Sequence, residues 1–151
     1  MRYVYNDGGR AAAGYKGSTG DCVTRALAIA TGQPYSDVRN RINHLADNEH
    51  FDGSDADSGV HKALYKDYLT TLGWTWTPTM GIGTGCTVHL HDGELPMDRL
   101  IVKVSRHLVA VIDGVINDTH NCSRKGTRCV YGYWRRAINE SSSNNPWPLP
   151  G

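Results

Sequence analysis

The stretch from Gly17 to Gly32, GSTGDCVTRALAIATG, constrains the fold most, because it joins a glycine-rich loop to the most apolar helical pattern in the chain. Apolar residues recur at helical spacing after Cys22, and Thr31-Gly32 provides a helix end with glycine in the favoured position. Asp21 stands where an N-cap residue belongs. We therefore predict a central, buried helix that begins at Cys22.

A cysteine in the first turn of a helix is chemically distinctive. Unpaired backbone N–H groups and the positive end of the helix dipole both stabilise a thiolate there. Taken alone, a cysteine on an apolar helix is more often a small core residue. The position of Cys22 favours the reactive interpretation, which also requires a base within hydrogen-bond reach.

Two further helical patterns and a group of strand patterns follow. Pro34 opens the second helix with Ser36 as its cap, and the third helix runs from Gly59 to Leu72. The acidic residues 47–58 between them predict a mobile surface loop. Strands are predicted over Tyr3–Tyr5, Trp74–Thr77, Leu100–Val104, Leu108–Ile112, Val115–Thr119 and Val130–Trp134. Helices that precede an antiparallel sheet indicate an α+β fold instead of alternating βαβ units.

The dipeptide Asp113-Gly114 between two apolar strand patterns is typical of a two-residue hairpin turn. With that turn, His107 at the head of the first strand shares a face with Asp118, which lies diagonally opposite on the second. A loop one residue longer or shorter would present Asn117 instead. Asp113 is a weaker candidate, because a carboxylate in the first loop position usually serves the turn itself. The hairpin therefore offers His107 as a base and Asp118 as an orienting acid.

These residues carry a resemblance to a known fold. A cysteine at the start of a central helix, a histidine heading a later strand and an Asp or Asn on the next strand resemble the papain-like cysteine peptidases. The patterns Asp-Cys-Val-x-Arg-Ala and His-Leu-Val-Ala-Val-Ile-Asp-Gly-Val-x-x-Asp are similar to those of bacteriocin-processing peptidase-like domains and of small uncharacterised phage and bacterial proteins. The resemblance implies Cys22 as nucleophile, His107 as base and Asp118 as the orienting acid. It implies a cysteine peptidase, isopeptidase or amidase that works through a thioester and needs no cofactor.

One position departs from the family pattern. Where the family usually has a glutamine that donates a hydrogen bond to the oxyanion, this chain has Lys16. The backbone N–H of Cys22, assisted by Lys16, Ser18 or Thr19, would have to replace that amide. The departure supports a second hypothesis, in which the chain is a catalytically silent papain-like binding or structural protein, for example one encoded by a phage.

A third hypothesis is a zinc-binding module, since zinc takes cysteine and histidine ligands in tetrahedral geometry. The candidate ligands are Cys86, His89 and His91, with His120, Cys122 or Cys129 as further ligands. A paired motif such as Cys-x-x-Cys or His-Glu-x-x-His is missing from the sequence. We therefore predict no metal, and we interpret His89 and His91 as solvent-facing or substrate-channel residues.

Length and charge limit the remaining choices. A chain of 151 residues suits one domain, predicted over residues 1–138 with a flexible tail over 139–151. A net charge of +1 disfavours a nucleic-acid partner, and a peptide or protein substrate is expected.

The longest apolar run, Leu108–Ile112, is far too short to cross a membrane, and the N-terminus lacks a signal-peptide pattern. We expect a cytoplasmic protein, located in the host cytoplasm or the virion if it is phage-encoded. That compartment favours four reduced cysteines, with a Cys122–Cys129 bridge as the alternative for a protein released from the cell.

Overall fold

The computed structural model describes residues 1–16, 20–48, 55–57 and 59–137. Over these residues the chain forms three helices and six strands, and the predicted α+β class is confirmed. The elements in chain order are β1 (Arg2–Tyr5), α1 (Cys22–Thr31), α2 (Tyr35–Asn48), α3 (Lys62–Thr71), β2 (Trp74–Pro78), β3 (Arg99–Val104), β4 (His107–Ile112), β5 (Val115–Asp118) and β6 (Val130–Arg136). None of these helices has the length and apolar character needed to span a membrane. The predicted tail over 139–151 and most of the predicted acidic loop lie outside the described residues.

The strands form one mixed sheet in the order β1-β5-β4-β3-β6-β2. Neighbouring strands are antiparallel except at one edge, where β1 runs parallel to β5. The antiparallel arrangement predicted for the C-terminal strands is observed, and β1 from the N-terminal segment makes the whole sheet mixed. A parallel partner needs a long connection, and the helices between β1 and β5 provide it.

The sheet separates two hydrophobic cores. Ile101, Leu108, Ala110 and Trp134 face the three helices, whereas alternate residues such as Val102 and Val109 face a second core on the other side. This is the period-two alternation of strand side chains. Because both faces are covered, β3 and β4 are apolar over most of their length. The helix α1 lies across β4, and every residue of α1 from Val23 to Ala30 is buried.

The helix that begins at Cys22 matches its prediction, and Asp21 occupies the predicted N-cap position. Gly32 ends α1 in the left-handed conformation, with φ of 76°. Asp21 makes no side-chain capping bond, because its carboxylate instead binds Arg25 and the Tyr35 hydroxyl. Buried positive charge and a hydroxyl thus replace the backbone N–H groups as partners of Asp21.

The other two helices do not begin at the residues that the sequence predicted. The α2 helix begins at Tyr35, so Ser36 lies inside its first turn and the predicted Ser36 cap is wrong. The backbone N–H groups of Asp37 and Val38 bind the Pro34 carbonyl oxygen, which places the start of the first turn at the proline. The α3 helix covers Lys62–Thr71 and is shorter than its prediction at both ends.

The cysteine predictions need correction. Cys86 and Cys129 form a disulfide with their Cα atoms 5.8 Å apart, whereas Cys22 and Cys122 are free. Both the expectation of four reduced thiols and the alternative Cys122–Cys129 bridge are therefore wrong. An isolated β-bridge between His89 and Cys129 brings the Cys86 loop beside β6, while Cys122 is buried in the second core.

Candidate active site

Cys22 lies at the first position of α1, half-buried, and its thiol is electrostatically coupled to the His107 side chain at the head of β4. The packing of α1 against β4 brings the two elements together. The two residues are 85 positions apart in the chain (107 − 22). Their meeting therefore depends on tertiary packing.

The β4–β5 hairpin brings Asp118 to His107. Its register pairs Ile112 with Val115 and Ala110 with Asn117, which confirms the predicted two-residue turn. Both turn residues have positive φ, 48° and 78°, as a type I′ turn requires. His107 Nε2 lies 2.6 Å from Asp118 Oδ2.

The alternative candidate for the orienting residue is directed elsewhere. The Asn117 side chain accepts a hydrogen bond from Asn6 Nδ2 at 3.2 Å and donates one to the Val115 carbonyl oxygen. Asn117 thus ties the end of β5 to the segment after β1. Of the two residues weighed from the sequence, the structure brings Asp118 to the imidazole.

The charge states of the three groups depend on each other. Burial raises the pKa of the Cys22 thiol. The interactions with His107 and with the Leu108 backbone together lower the pKa by more than burial raises it, so it lies below its ordinary value of 9.0. Burial lowers the pKa of His107, whereas its hydrogen bond with Asp118 raises the pKa well above 6.5. For Asp118, burial opposes ionisation, and the bond to His107 holds the pKa below 3.8. The arrangement favours a thiolate, an imidazolium and a carboxylate.

A second thiol lies against the same histidine. Cys122 is only 3% exposed, and its sulfur is within 4.8 Å of the ligand atoms of both His107 and Asp118. In the part of the chain that the structure describes, these three residues are the one group whose atoms are close enough to hold a metal ion. The Arg25 guanidinium beside Asp118 opposes a cation at this place.

Asp118 also belongs to a network of buried charged side chains. Arg25 Nη2 lies 3.3 Å from Asp118 Oδ1, and Arg25 Nη1 also contacts Asp21 Oδ1. The exposed fractions of these residues are 7% for Arg25, 3% for Asp118 and 1% for Asp21. Arg25 therefore holds two buried carboxylates, one of which binds the candidate base.

The network continues to the protein surface with alternating charge. Asp21 Oδ2 accepts a hydrogen bond from the Tyr35 hydroxyl at 2.7 Å and lies 3.6 Å from Arg10 Nη1. Arg10 contacts Asp57 at 3.0 Å, and Asp57 contacts Arg39 at 2.6 Å. Positive and negative charges thus alternate from Asp118 to the half-buried Arg39 at the other end.

Sequence reasoning missed the roles of Asp21 and Arg25. Two signals were present: an arginine in the middle of the most apolar helix, and an aspartate directly before the candidate nucleophile. A buried arginine requires a carboxylate partner. The identity of that partner is not readable from the sequence, because Asp118 is 93 residues away (118 − 25).

Of the three side chains predicted to assist at the oxyanion, the structure describes Lys16. Lys16 is exposed, and its backbone carbonyl oxygen accepts a hydrogen bond from Arg10 Nη2 at 3.2 Å. Ser18 and Thr19 lie outside the described residues. The Leu108 backbone contributes to the lowered pKa of Cys22, an influence that the sequence did not suggest.

A cleft of about 850 Å³ opens beside the network. Residues from the N-terminal segment, including Arg10, Tyr15 and Lys16, line one part of it. Asp21, Arg25 and His120 line the part nearest Asp118, and the His120 ring centroid lies 5.3 Å from that of His107. The cleft therefore borders the candidate site on the Asp118 side.

The predicted zinc ligands lie at two places, one of which holds Cys86, His89 and Cys129 together. Cys86 and Cys129 use their sulfurs in the disulfide, and His89 contacts Glu94. Two others, His120 and Cys122, lie beside His107 instead. Zinc binding by Cys86 and Cys129 would require reduction of their disulfide, and the zinc hypothesis stays a prediction.

Comparisons with protein-family models, with curated proteins and with solved structures found no match for this chain. The interpretation of the site accordingly depends on its residues and their geometry.

Proposed function

We propose that this chain is a cysteine hydrolase that cleaves a peptide, isopeptide or related amide bond. The observation that carries the proposal is the Cys22 thiol at a helix start that packs against β4, the strand headed by a histidine that binds a buried carboxylate at 2.6 Å. A nucleophile, a base and a group that orients the base are the components of this chemistry. The papain-like relationship is part of the proposal, supported by the order of these residues and by their elements.

The reaction would begin with attack of the Cys22 thiolate on the substrate carbonyl carbon. The His107 imidazolium donates its proton to the leaving nitrogen as the carbon–nitrogen bond breaks, and the acyl group remains on Cys22 as a thioester. Neutral His107 then takes a proton from water, whose oxygen attacks the thioester and releases the acid. Asp118 holds the ring orientation and stabilises the imidazolium in both steps.

The developing oxyanion needs preorganised donors. The Cys22 backbone N–H lies at the start of α1, where helix N–H groups have no intrahelical partner and the helix dipole favours negative charge. Lys16 occupies the position of the family glutamine, and its side chain borders the cleft. We assign the first donor to the Cys22 N–H and a supporting positive charge to Lys16.

The test is the rate at which iodoacetamide alkylates each free cysteine of the native protein at neutral pH. Tryptic peptides 17–25 and 107–124 separate Cys22 from Cys122, which is an internal control because it touches the same histidine but is buried. We expect Cys22 to react at least about tenfold faster than Cys122, and His107→Gln to remove most of that difference. Cleavage of a mixed peptide library should be lost in Cys22→Ala.

The results also decide between catalysis and a silent scaffold. Cys22 labelling no faster than that of Cys122, together with no library cleavage, would support the binding or structural hypothesis that the exposed Lys16 favours. Library cleavage that persists in Cys22→Ala would show that the mechanism is wrong. Fast Cys22 labelling without cleavage would keep the activated thiol and direct the search to other amide substrates.

A further inference from the structure

A second cysteine–histidine–acid arrangement lies in the loop between β2 and β3, outside the Cys22 site. His89 Nε2 lies 3.4 Å from Cys86 Sγ, and His89 Nδ1 lies 3.0 Å from Glu94 Oε1. Cys86 is exposed and forms the disulfide with Cys129, which is half-buried. The two sulfurs have different neighbours, because Cys129 Sγ lies against the Met80 thioether at 3.7 Å.

Backbone hydrogen bonds hold this arrangement independently of the disulfide. The Val130 N–H binds the Val88 carbonyl oxygen at 2.8 Å, and the Leu90 N–H binds the Arg128 carbonyl oxygen at 2.9 Å. The His89 backbone N–H donates to Glu94 Oε1 at 3.1 Å, so one carboxylate fixes both the backbone and the ring of this histidine. We expect His89 to stay beside Cys86 after reduction.

We propose that Cys86 and Cys129 form a thiol–disulfide exchange site for low-molecular-weight thiols and disulfides, with Cys86 as the exchanging sulfur and Cys129 as the resolving one. The exposure of Cys86 gives an incoming thiol access to it, and His89 Nε2 offers the sulfur a hydrogen-bond partner at 3.4 Å. Glu94 holds His89 Nδ1, which directs Nε2 to the sulfur. The proposal is independent of the chemistry proposed for Cys22.

Reduction proceeds in two exchanges. A thiolate attacks Cys86 Sγ, the Cys86–Cys129 bond breaks, and its electron pair leaves on Cys129, which takes a proton from water. A second thiolate attacks the outer sulfur of the mixed disulfide, and Cys86 leaves as a thiolate beside the His89 ring. Two small thiols are oxidised to one disulfide while the protein disulfide is reduced to two thiols, and the reverse sequence oxidises the protein.

The experiment measures alkylation of the native protein after reduction with dithiothreitol and removal of the reductant. Tryptic peptides 67–99 and 129–135 report Cys86 and Cys129 separately. We expect iodoacetamide to alkylate Cys86 faster than Cys129 at neutral pH. His89→Gln should slow Cys86 by about tenfold, since one unit of thiol pKa changes the thiolate fraction about tenfold.

His91→Gln is the matched control. His91 also contacts Glu94, with its Nδ1 3.5 Å from Glu94 Oε2, but it is more exposed, and the bond to Cys86 sulfur comes from His89. Alkylation of Cys86 should be unchanged in this variant. In Cys129→Ser, which lacks the resolving sulfur, oxidised glutathione should leave a stable mixed disulfide on peptide 67–99.

Three results would overturn the proposal. Equal alkylation rates at Cys86 and Cys129 would remove the distinction between exchanging and resolving sulfurs. An unchanged Cys86 rate in His89→Gln would show that the imidazole does not activate the thiol. Zinc retained by the reduced protein, with both sulfurs protected from iodoacetamide, would assign the pair to a metal site instead.

Discussion

Replacing Arg25 with methionine should destabilise the protein more than any change at its surface ion pairs. The substitution keeps an unbranched chain but removes the guanidinium that contacts Asp21 and Asp118, whose exposed fractions are 1% and 3%. Removing one partner of a buried ion pair typically costs about 3–5 kcal/mol, because a charge is left uncompensated. Asp118 keeps its bond to His107, and Asp21 keeps the Tyr35 hydroxyl. We therefore expect Arg25→Met to lower the free energy of unfolding by about 3 kcal/mol, the low end of that range.

Arg39→Met is the matched control. The shorter distance of its ion pair would predict a larger loss of stability than in Arg25→Met, whereas its greater exposure predicts a smaller loss. Arg39 Nη2 lies 2.6 Å from Asp57, closer than the 3.3 Å between Arg25 and Asp118. The side chains of Arg39 and Asp57 are 25% and 28% exposed, so water and salt screen the pair. Such a pair contributes about 0–1 kcal/mol, and the Arg39 guanidinium over the Tyr15 ring at 4.5 Å adds about 0.5–1 kcal/mol. The expected loss is about 1 kcal/mol.

Urea denaturation followed by tryptophan fluorescence measures both losses, because Trp74 and Trp134 are buried in the core beneath the helices. Combining Arg25→Met with Asp118→Asn should cost less than the sum of the single changes, since the second change removes the stranded charge. An Arg25→Met loss no larger than that of Arg39→Met would refute the reasoning. It would mean that the buried network contributes no more to stability than a half-buried ion pair.

Two further predictions concern the candidate site. Asp118→Asn should slow the alkylation of Cys22 by about tenfold at neutral pH, because a neutral amide stabilises the His107 imidazolium less; Asn117→Ala, on the neighbouring residue, should leave the rate unchanged, and equal effects would contradict the assignment of Asp118. The second prediction is a pH dependence of stability in Cys22→Ala. Because the pKa of His107 is raised, the folded protein keeps a proton that the unfolded chain releases above pH 6.5. The free energy of unfolding of this variant should therefore fall as the pH rises above 6.5, by up to about 1.4 kcal/mol per pH unit. The wild type should fall less, because the lowered pKa of Cys22 releases a proton in the folded state that compensates; urea titrations between pH 6 and 9 that show no difference would contradict this linkage.

Local chemistry made several features readable from the sequence. An apolar periodic run bounded by Cys22 and Gly32 defines α1, because a helix needs a buried face and an end that tolerates left-handed backbone. Asp113-Gly114 determines the hairpin register, since a two-residue turn leaves one pairing for the flanking strands. That register is what distinguishes Asp118 from Asn117. Each of these signals involves residues within a few positions of one another.

Tertiary packing decided the features that depend on distant residues. Whether Asp21 caps a helix or binds Arg25 depends on which partner packing brings near, and the structure brings a buried guanidinium and Tyr35. The parallel edge strand β1 and the Cys86–Cys129 disulfide likewise join segments that are far apart in the chain. Such contacts leave no pattern in the local sequence. They form only when the helices and the sheet have packed and have brought their two partners together. The sequence by itself thus determined the helix start and the hairpin register, and the tertiary structure decided what surrounds them.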